Sequence, residues 1–274
     1  MSGPFQVAAE VVGVRRVGAY VALILAAPSI AAEARPGHFV ALSVGGPATS
    51  MVLRRCFSLA GWGNGAVTVL FSVLGHGTDW LASRQPGDLV EVGGPLGTPF
   101  ALPSGPQTCV LVGGGTGAAP LIPLAVALTE LGSEVRMLIG AARAEKLMAV
   151  EQARLVADSV TITTDDGSAG LRGWVSDALP GLLAGADAVY GCGPMRMLRS
   201  VAGLAAAVEV PSQVAVEEAM ACGVGVCMTC VLPILGDDGR TRMLRACLEG
   251  PVFAGDRVRF DAVGTVPADA VGAS

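Results

Sequence analysis

The chain has one lysine, Lys146, and two histidines, His38 and His76, in 274 residues. Aromatic residues make up 4% and charged residues 15% of it. With a formal net charge of −5 and a single lysine, no basic face for nucleic acid is expected. Two separated histidines are too few for a histidine-based metal site or catalytic pair. Disorder is excluded from the other side, because 52% hydrophobic content supports a large core. The N-terminus shows no basic run followed by an apolar stretch, so no secretory signal is expected. The most apolar segment, Thr108 to Leu128, is uncharged and long enough to cross a bilayer. Gly113, Gly114, Gly115, Gly117, Pro120 and Pro123 interrupt it, which predicts a buried strand, a turn and a buried helix rather than a membrane span.

Cysteine is what the chain does have, seven in all. Cys222, Cys227 and Cys230 form a C-x4-C-x2-C run, and Cys247 follows at a distance. That is the plant-type ligand spacing for a [2Fe–2S] cluster, whose irons take four soft thiolates. Gly223 and Gly225 lie inside the run, where a missing Cβ lets backbone N–H groups turn toward sulfur. A four-cysteine zinc site is the alternative, although zinc sites usually show two C-x2-C knuckles and only one is present. Cys56, Cys109 and Cys192 are far apart, which points to a reducing, cytoplasmic setting rather than a disulfide framework.

Three segments are expected. Residues 1–103 read as short β runs at 6–14, 19–25, 38–44, 52–59, 66–73 and 89–92, with a helix from Gly77 to Ser83. Turn signals Pro36-Gly37, Gly45-Gly46-Pro47, Gly63-Asn64-Gly65 and Pro86-Gly87-Asp88 separate them, the pattern of a small antiparallel barrel. Residues 104–210 alternate strand and helix, with strands at 108–112, 134–139, 160–164 and 188–190. Helices are expected at 118–131, from about Glu145, near 174–179 and at 195–207. That alternation predicts a parallel sheet covered by helices, a nucleotide-binding α/β domain. Residues 211–274 hold the cysteines and end in short β-like pieces such as Arg257 to Phe260.

Four motifs carry chemistry beside the cysteines. Gly113-Gly114-Gly115-Thr116-Gly117 follows a strand and opens a helix, which aims backbone N–H groups at an anion, although a tight turn alone would also use these glycines. Cys192-Gly193-Pro194 stands at the carboxyl end of a parallel strand, where open α/β sheets bind ligands. Arg55-Cys56-Phe57-Ser58 lies on a barrel strand, and Gly75-His76-Gly77-Thr78 precedes a helix; both can contact phosphate.

Together these motifs resemble the ferredoxin-reductase superfamily, and their order with the C-terminal cysteines is similar to the electron-transfer subunits of dihydroorotate dehydrogenase B. The run Glu217-Glu218 to Met220-Ala221-Cys222-Gly223 and the tail Cys247-Leu248-Glu249-Gly250-Pro251-Val252-Phe253 carry the closer likeness. The resemblance implies FAD, one [2Fe–2S] cluster and NAD, and an FMN-bearing catalytic partner in a two-plus-two assembly. It implies electron transfer from dihydroorotate to NAD⁺ in pyrimidine biosynthesis, with no membrane or nucleic-acid partner. FAD is implied at Arg55, Cys56, Phe57, Ser58, Leu70, Phe71, Ser72, Gly77 and Thr78. NAD is implied at Gly113, Gly114, Thr116, Gly117, Cys192, Gly193 and Pro194, and the cluster at Cys222, Cys227, Cys230 and Cys247. No residue is assigned to acid–base or nucleophilic catalysis. Two positions depart from the family: Cys56 stands where proline is usual, and Ser72 where an arginine often contacts the flavin phosphate. The second change removes a charge-assisted contact of about 1.5–3 kcal/mol. Arg143, just after the second strand of the nucleotide domain, stands where a 2′-phosphate could be read. A reductase subunit with the same cofactors and another partner, and a zinc-stabilised nucleotide-binding protein, are the other readings.

Overall fold

Alternation of inward apolar and outward polar residues closes the first segment into a barrel. The computed structural model describes residues 3–46 and 49–272; Pro47 of the Gly45-Gly46-Pro47 turn lies outside the described residues. The strands are β1 (Phe5–Val17), β2 (Tyr20–Ala26), β3 (Phe39–Leu42), β4 (Arg55–Gly63), β5 (Ala66–Phe71) and β6 (Leu89–Leu96), in the closed order β1-β2-β5-β4-β3-β6. On β5, Val67, Val69 and Phe71 point inward and are buried, while their neighbours face out. The β4–β5 hairpin turns on Asn64 and Gly65, both with positive φ (50° and 74°), the geometry a two-residue loop needs. β4 begins at Arg55 rather than at residue 52, so the stretch before it is not strand. Helix α1 (Pro28–Glu33) was not foreseen; it plugs one end of the barrel with the buried Ile30. Helix α2 (His76–Ala82) matches the expected position.

The second half is a seven-stranded sheet. Its elements are β7 (Thr108–Gly114), α3 (Leu121–Glu130), β8 (Glu134–Ala141), α4 (Val150–Val156), β9 (Ser159–Thr164), β10 (Leu171–Arg172), α5 (Val175–Ala178), β11 (Ala188–Cys192) and α6 (Met195–Ala207). The uncharged stretch from Thr108 is indeed a buried strand, turn and helix, and no helix among the described residues is long and apolar enough to cross a membrane. Around Glu145 the chain makes a short 3-10 turn, Ala144–Lys146, and α4 starts only at Val150. The sheet order is β10-β9-β8-β7-β11-β12-β15, where β12 is Ser212–Ala215 and β15 is Val252–Ala254, with all neighbours parallel except the last pair.

That sheet runs across residue 210. Strands β12 (Ser212–Ala215) and β15 (Val252–Ala254) come from the cysteine-bearing segment, while β13 (Val231–Leu235) and β14 (Thr241–Arg245) form a separate hairpin. The expected strand at Arg257–Phe260 is instead two 3-10 turns, Gly255–Arg257 and Phe260–Ala262, around a single bridge from Val258 to Ile234. The 3-10 turns on either side of Val258 limit pairing with β13 to that one bridge and the Arg259 N–H bond to the Pro233 carbonyl at 3.0 Å. Phe39, Leu96, Val214, Cys230, Cys247 and Phe253 share one core, so barrel, sheet and cysteine segment are packed as one body.

His38 lies buried at the entry to β3, where its Nδ1 accepts the Arg35 N–H at 3.0 Å. Burial, then the Arg35 charge, lowers its pKa to about 4, below the ordinary 6.5. Above pH 6.5 folded and unfolded chains are both neutral there, and its contribution to stability is complete. Between pH 6.5 and 4 the unfolded chain takes up a proton that the folded chain excludes, a loss of about 3 kcal/mol. Denaturant titrations of the parent and His38→Asn, which keeps an acceptor, should diverge by that amount across this window. Parallel curves would show that His38 does not carry the acid sensitivity.

Candidate cofactor sites

A β-hairpin solves the problem of the distant fourth cysteine. Val231 on β13 pairs with Arg245 on β14, and the Ala246 N–H bonds the Cys230 carbonyl at 2.9 Å, so Cys230 and Cys247 arrive side by side. The turn at 236–240 is held by Arg242, whose guanidinium grips Asp238 at 2.7 and 2.8 Å. Cys222 and Cys227, at the two ends of the glycine-bearing loop, face one another in the same way. The thiols therefore stand as two pairs, Cys222 with Cys227 and Cys230 with Cys247. Among the described residues no three His, Cys, Asp or Glu side chains close around a single metal ion. Two pairs suit a two-iron core with two thiolates on each iron better than one zinc tetrahedron.

The loop backbone is aimed at sulfur. Val224 and Val226 N–H groups lie 3.4 Å from the Cys222 Sγ, Gly225 N–H donates to the Cys247 Sγ at 3.1 Å, and the Thr229 hydroxyl reaches the Cys227 Sγ at 3.2 Å. Slight burial pushes the Cys222 thiol up, but the N–H donors around it outweigh that and bring its pKa to about 6. Gly225 has φ +78°, and Arg245 ties its carbonyl (2.9 Å) to the Glu249 carboxylate, which fixes the loop on the hairpin. Cys227 is exposed and Cys230 and Cys247 are buried, so the first pair faces outward.

Next to this loop is a cavity of about 270 Å³. The barrel contributes Cys56, Phe57, Ser58 and Leu70; the glycine turn contributes Thr116 and Gly117; Cys192, Glu217, Glu218 and Met220 close the far side. Phe57 packs against Phe71 at 5.2 Å between ring centres, and Phe71 itself faces the barrel core. Arg55 lies over Gly77: a Cβ on that glycine would sit 2.8 Å from the Arg55 Nε. The Thr78 hydroxyl accepts the N–H groups of Leu74 and Gly75, ordering the loop before α2. Ser72 lies just past β5, partly exposed. Cys56 joins the two sites, because a Cβ on Gly223 would sit 3.2 Å from its Sγ. Burial, then the neighbouring cysteines, pushes the Cys56 thiol up to about 12. Burial also raises Glu217 and Cys192, the latter helped by the Glu217 charge.

A second cavity, about 560 Å³, opens at the carboxyl ends of the parallel strands. Gly114, Gly115 and Pro194 separate it from the first, so the two share a wall made of the glycine turn and the Cys-Gly-Pro turn. Gly113 does not line either; a Cβ there would meet Ala118 Cα at 2.6 Å, so this glycine serves close packing. Its other walls carry Lys146, Thr163, Asp165, Trp174 and Arg196, none of them foreseen as site residues. Each stands at or just after the carboxyl end of a parallel strand or at the start of a helix, and that placement was the available signal. Arg143 is not among the lining; it pairs with Glu145 at 3.2 Å. Glu217 and Glu218 were legible only as part of the run leading to the cysteines.

Residues 217–259 match the family model described as the iron-sulfur cluster binding domain of dihydroorotate dehydrogenase B. The dihydroorotate dehydrogenase B (NAD(+)) electron transfer subunit of Desulforamulus reducens is 36% identical over 231 residues, 83% of this chain and 87% of its own. That of Listeria innocua is 36% identical over 241 residues, 86% of this chain and 91% of its own. Among solved structures, one described as the NADH-dependent reduced ferredoxin-NADP oxidoreductase of flavin-based electron bifurcation superposes with a TM-score of 0.81 at 29% identity, covering 93% of this chain and 91% of that one. With paired thiols in the matched segment and near-complete coverage of its relatives, the chain belongs to the dihydroorotate dehydrogenase B electron transfer subunit family.

Proposed function

We propose that this chain takes electrons from an FMN-bearing catalytic subunit that oxidises dihydroorotate and delivers them to NAD⁺, in the cytoplasm and in a two-plus-two assembly. The observation that carries the reading is the adjacency of three sites: paired thiols, a cavity against the cysteine loop, and a second cavity behind one shared wall. When bound, FAD interconverts hydride and single-electron chemistry, and a [2Fe–2S] cluster passes electrons one at a time. The residues present fit both groups. Cys222, Cys227, Cys230 and Cys247 offer two thiol pairs with N–H donors already directed at sulfur. Phe57, Leu70 and Ser58 offer an apolar floor with a polar edge, and Thr116 and Gly117 bring the glycine turn against it. Arg55, packed over Gly77, supplies the phosphate-binding charge.

The larger cavity suits a nicotinamide dinucleotide, and about 560 Å³ falls within the usual range of small-molecule sites. Asp165 in its lining disfavours a 2′-phosphate by like charge, which supports NAD⁺ over NADP⁺. The catalytic subunit docks where the cysteine loop is exposed, with Val226 78% and Met228 51% accessible beside Cys227. The free, separated Cys56, Cys109 and Cys192 agree with a reducing compartment. A second reading keeps the cofactors and changes the electron donor; the likeness to the ferredoxin-NADP oxidoreductase structure favours it. Reconstitution with a dihydroorotate-oxidising subunit decides between them, because only the first reading yields dihydroorotate-dependent NADH.

Cys227→Ser is expected to leave FAD stoichiometric while lowering dihydroorotate-to-NAD⁺ turnover in the complex more than about 100-fold. Unchanged turnover would take the cysteine loop off the electron path. Gly225→Ala places a side chain at φ +78° and 3.0 Å from Leu248 Cδ2. The strain, about 1–2 kcal/mol, should speed chelator removal of iron roughly tenfold with flavin content unchanged. Equal stripping rates would show that the loop's left-handed turn does not hold the metal.

A further inference from the structure

We propose that Lys146, the chain's single lysine, is a binding residue for the diphosphate of the dinucleotide in the larger cavity. The inference rests on the nicotinamide-dinucleotide reading of that cavity. Lys146 ends the 3-10 turn after β8 and lines the cavity, half-buried, as does Arg196 in the first turn of α6. Its backbone is pinned from the barrel: the Tyr20 hydroxyl donates to the Lys146 carbonyl at 2.9 Å. Its ammonium lies 6.0 Å from the centre of the Tyr20 ring, the outer limit of a cation–π contact. Glu145, the adjacent carboxylate, is held by Arg143. Among the described residues no carboxylate pairs with Lys146, so a fixed main chain presents an uncommitted cation to the cavity.

A second, independent feature marks the same cavity as built for a ligand. Thr163 is 1% exposed, lines the cavity, and its hydroxyl has no hydrogen-bond partner. A buried hydroxyl without a partner is costly unless a ligand supplies one. Beneath it, a Cβ on Gly140 would sit 3.0 Å from the Thr163 Oγ1 and 2.4 Å from Val175 Cγ1, so glycine keeps that floor open. Lys146 and Arg196 bring two positive charges to the cavity that Gly114 and Gly115 also line, against the single carboxylate of Asp165, a net positive lining that favours a diphosphate. Lysine acts there as a point charge on a flexible stem, reaching phosphate oxygens without a fixed fork.

One lysine makes the test direct. The FAD- and cluster-loaded protein is treated with an amine-acetylating reagent with and without ADP-ribose, and Lys146 acetylation is followed by peptide mass spectrometry. ADP-ribose affinity is measured by calorimetry for the parent, Lys146→Gln and Lys146→Arg at several salt concentrations. The expected result is about tenfold protection of Lys146, about tenfold weaker binding by Lys146→Gln with a shallower salt dependence, and recovery in Lys146→Arg. Equal ADP-ribose affinity in the parent and Lys146→Gln, with no protection, would overturn the assignment while leaving the dinucleotide reading intact. Failure of the parent to bind ADP-ribose or NAD⁺ would overturn both. Protection of the parent's Lys146 needs no variant, so a misfolded Lys146→Gln could not obscure the answer.

Discussion

The wall between the two cavities is made of backbone, and the arrangement of the whole chain follows from that. A Cβ at Gly117 would lie 2.3 Å from the Cys192 carbonyl oxygen, and one at Gly193 would lie 3.0 Å from the Gly114 nitrogen. The Gly-Gly-Gly-Thr-Gly turn and the Cys-Gly-Pro turn touch main chain to main chain, which no side chain at those glycines would permit. On the other flank of the smaller cavity, Gly223 lets the cysteine loop rest on Cys56. Short separations are what a chain moving electrons needs, and here glycines create close backbone approaches at three places.

Register keeps those approaches aligned. Cys192 pairs with Ala215 across β11 and β12, so the next residues, Val216 and Glu217, emerge beside Cys192 at the rim of the smaller cavity. From there the chain runs directly into the cysteine loop, and β15 returns it to the sheet beside β12. The loop is thus tethered at both ends to the sheet that carries the glycine turn. Its own hairpin adds Arg242–Asp238 and the Arg245–Glu249 pair, both intrasegment contacts that set local shape rather than much stability. Cys230, Cys247 and Cys56 share a core with Phe39 and Val214. Moving the loop relative to the smaller cavity would therefore disrupt a packed interior.

Much of this was legible because spacing maps onto geometry over short ranges. The glycine turn and the Cys-Gly-Pro turn each sit where a strand ends and the C-x4-C-x2-C run just before one begins, and short-range sequence specifies such turns. What escaped was set by strand parity and by pairing between distant segments. Leu70 and Phe71 are adjacent and both apolar, yet Leu70 lines the cavity and Phe71 packs in the barrel, since neighbours on a strand face opposite ways. Arg257 to Phe260 carries the composition of a strand but finds only one bridge partner. Thr163 on β9 and Lys146 in the 3-10 turn after β8 line one cavity, and the parallel register of β8 and β9 brings those strand ends together. Arg143 shows the reverse: its position suggested phosphate, while its guanidinium is engaged by Glu145.

Cys56 shows how a departure from a family pattern can fit the local physics. A proline there would present a rigid ring with no polar atom, whereas cysteine presents a small, polarisable side chain that behaves in a core much as a hydrophobe does. It fills the gap between the barrel strand and Gly223, with Ala41 and Leu96 completing the contact at 3.5 and 3.6 Å from where a Gly223 Cβ would be. Burial, then the neighbouring thiols, favour the neutral form of the Cys56 thiol, so it adds no charge beside the cysteine loop. The position demands a compact, uncharged group that excludes water between two sites. Proline and a protonated cysteine satisfy that demand by different routes, and a charged or larger residue would not.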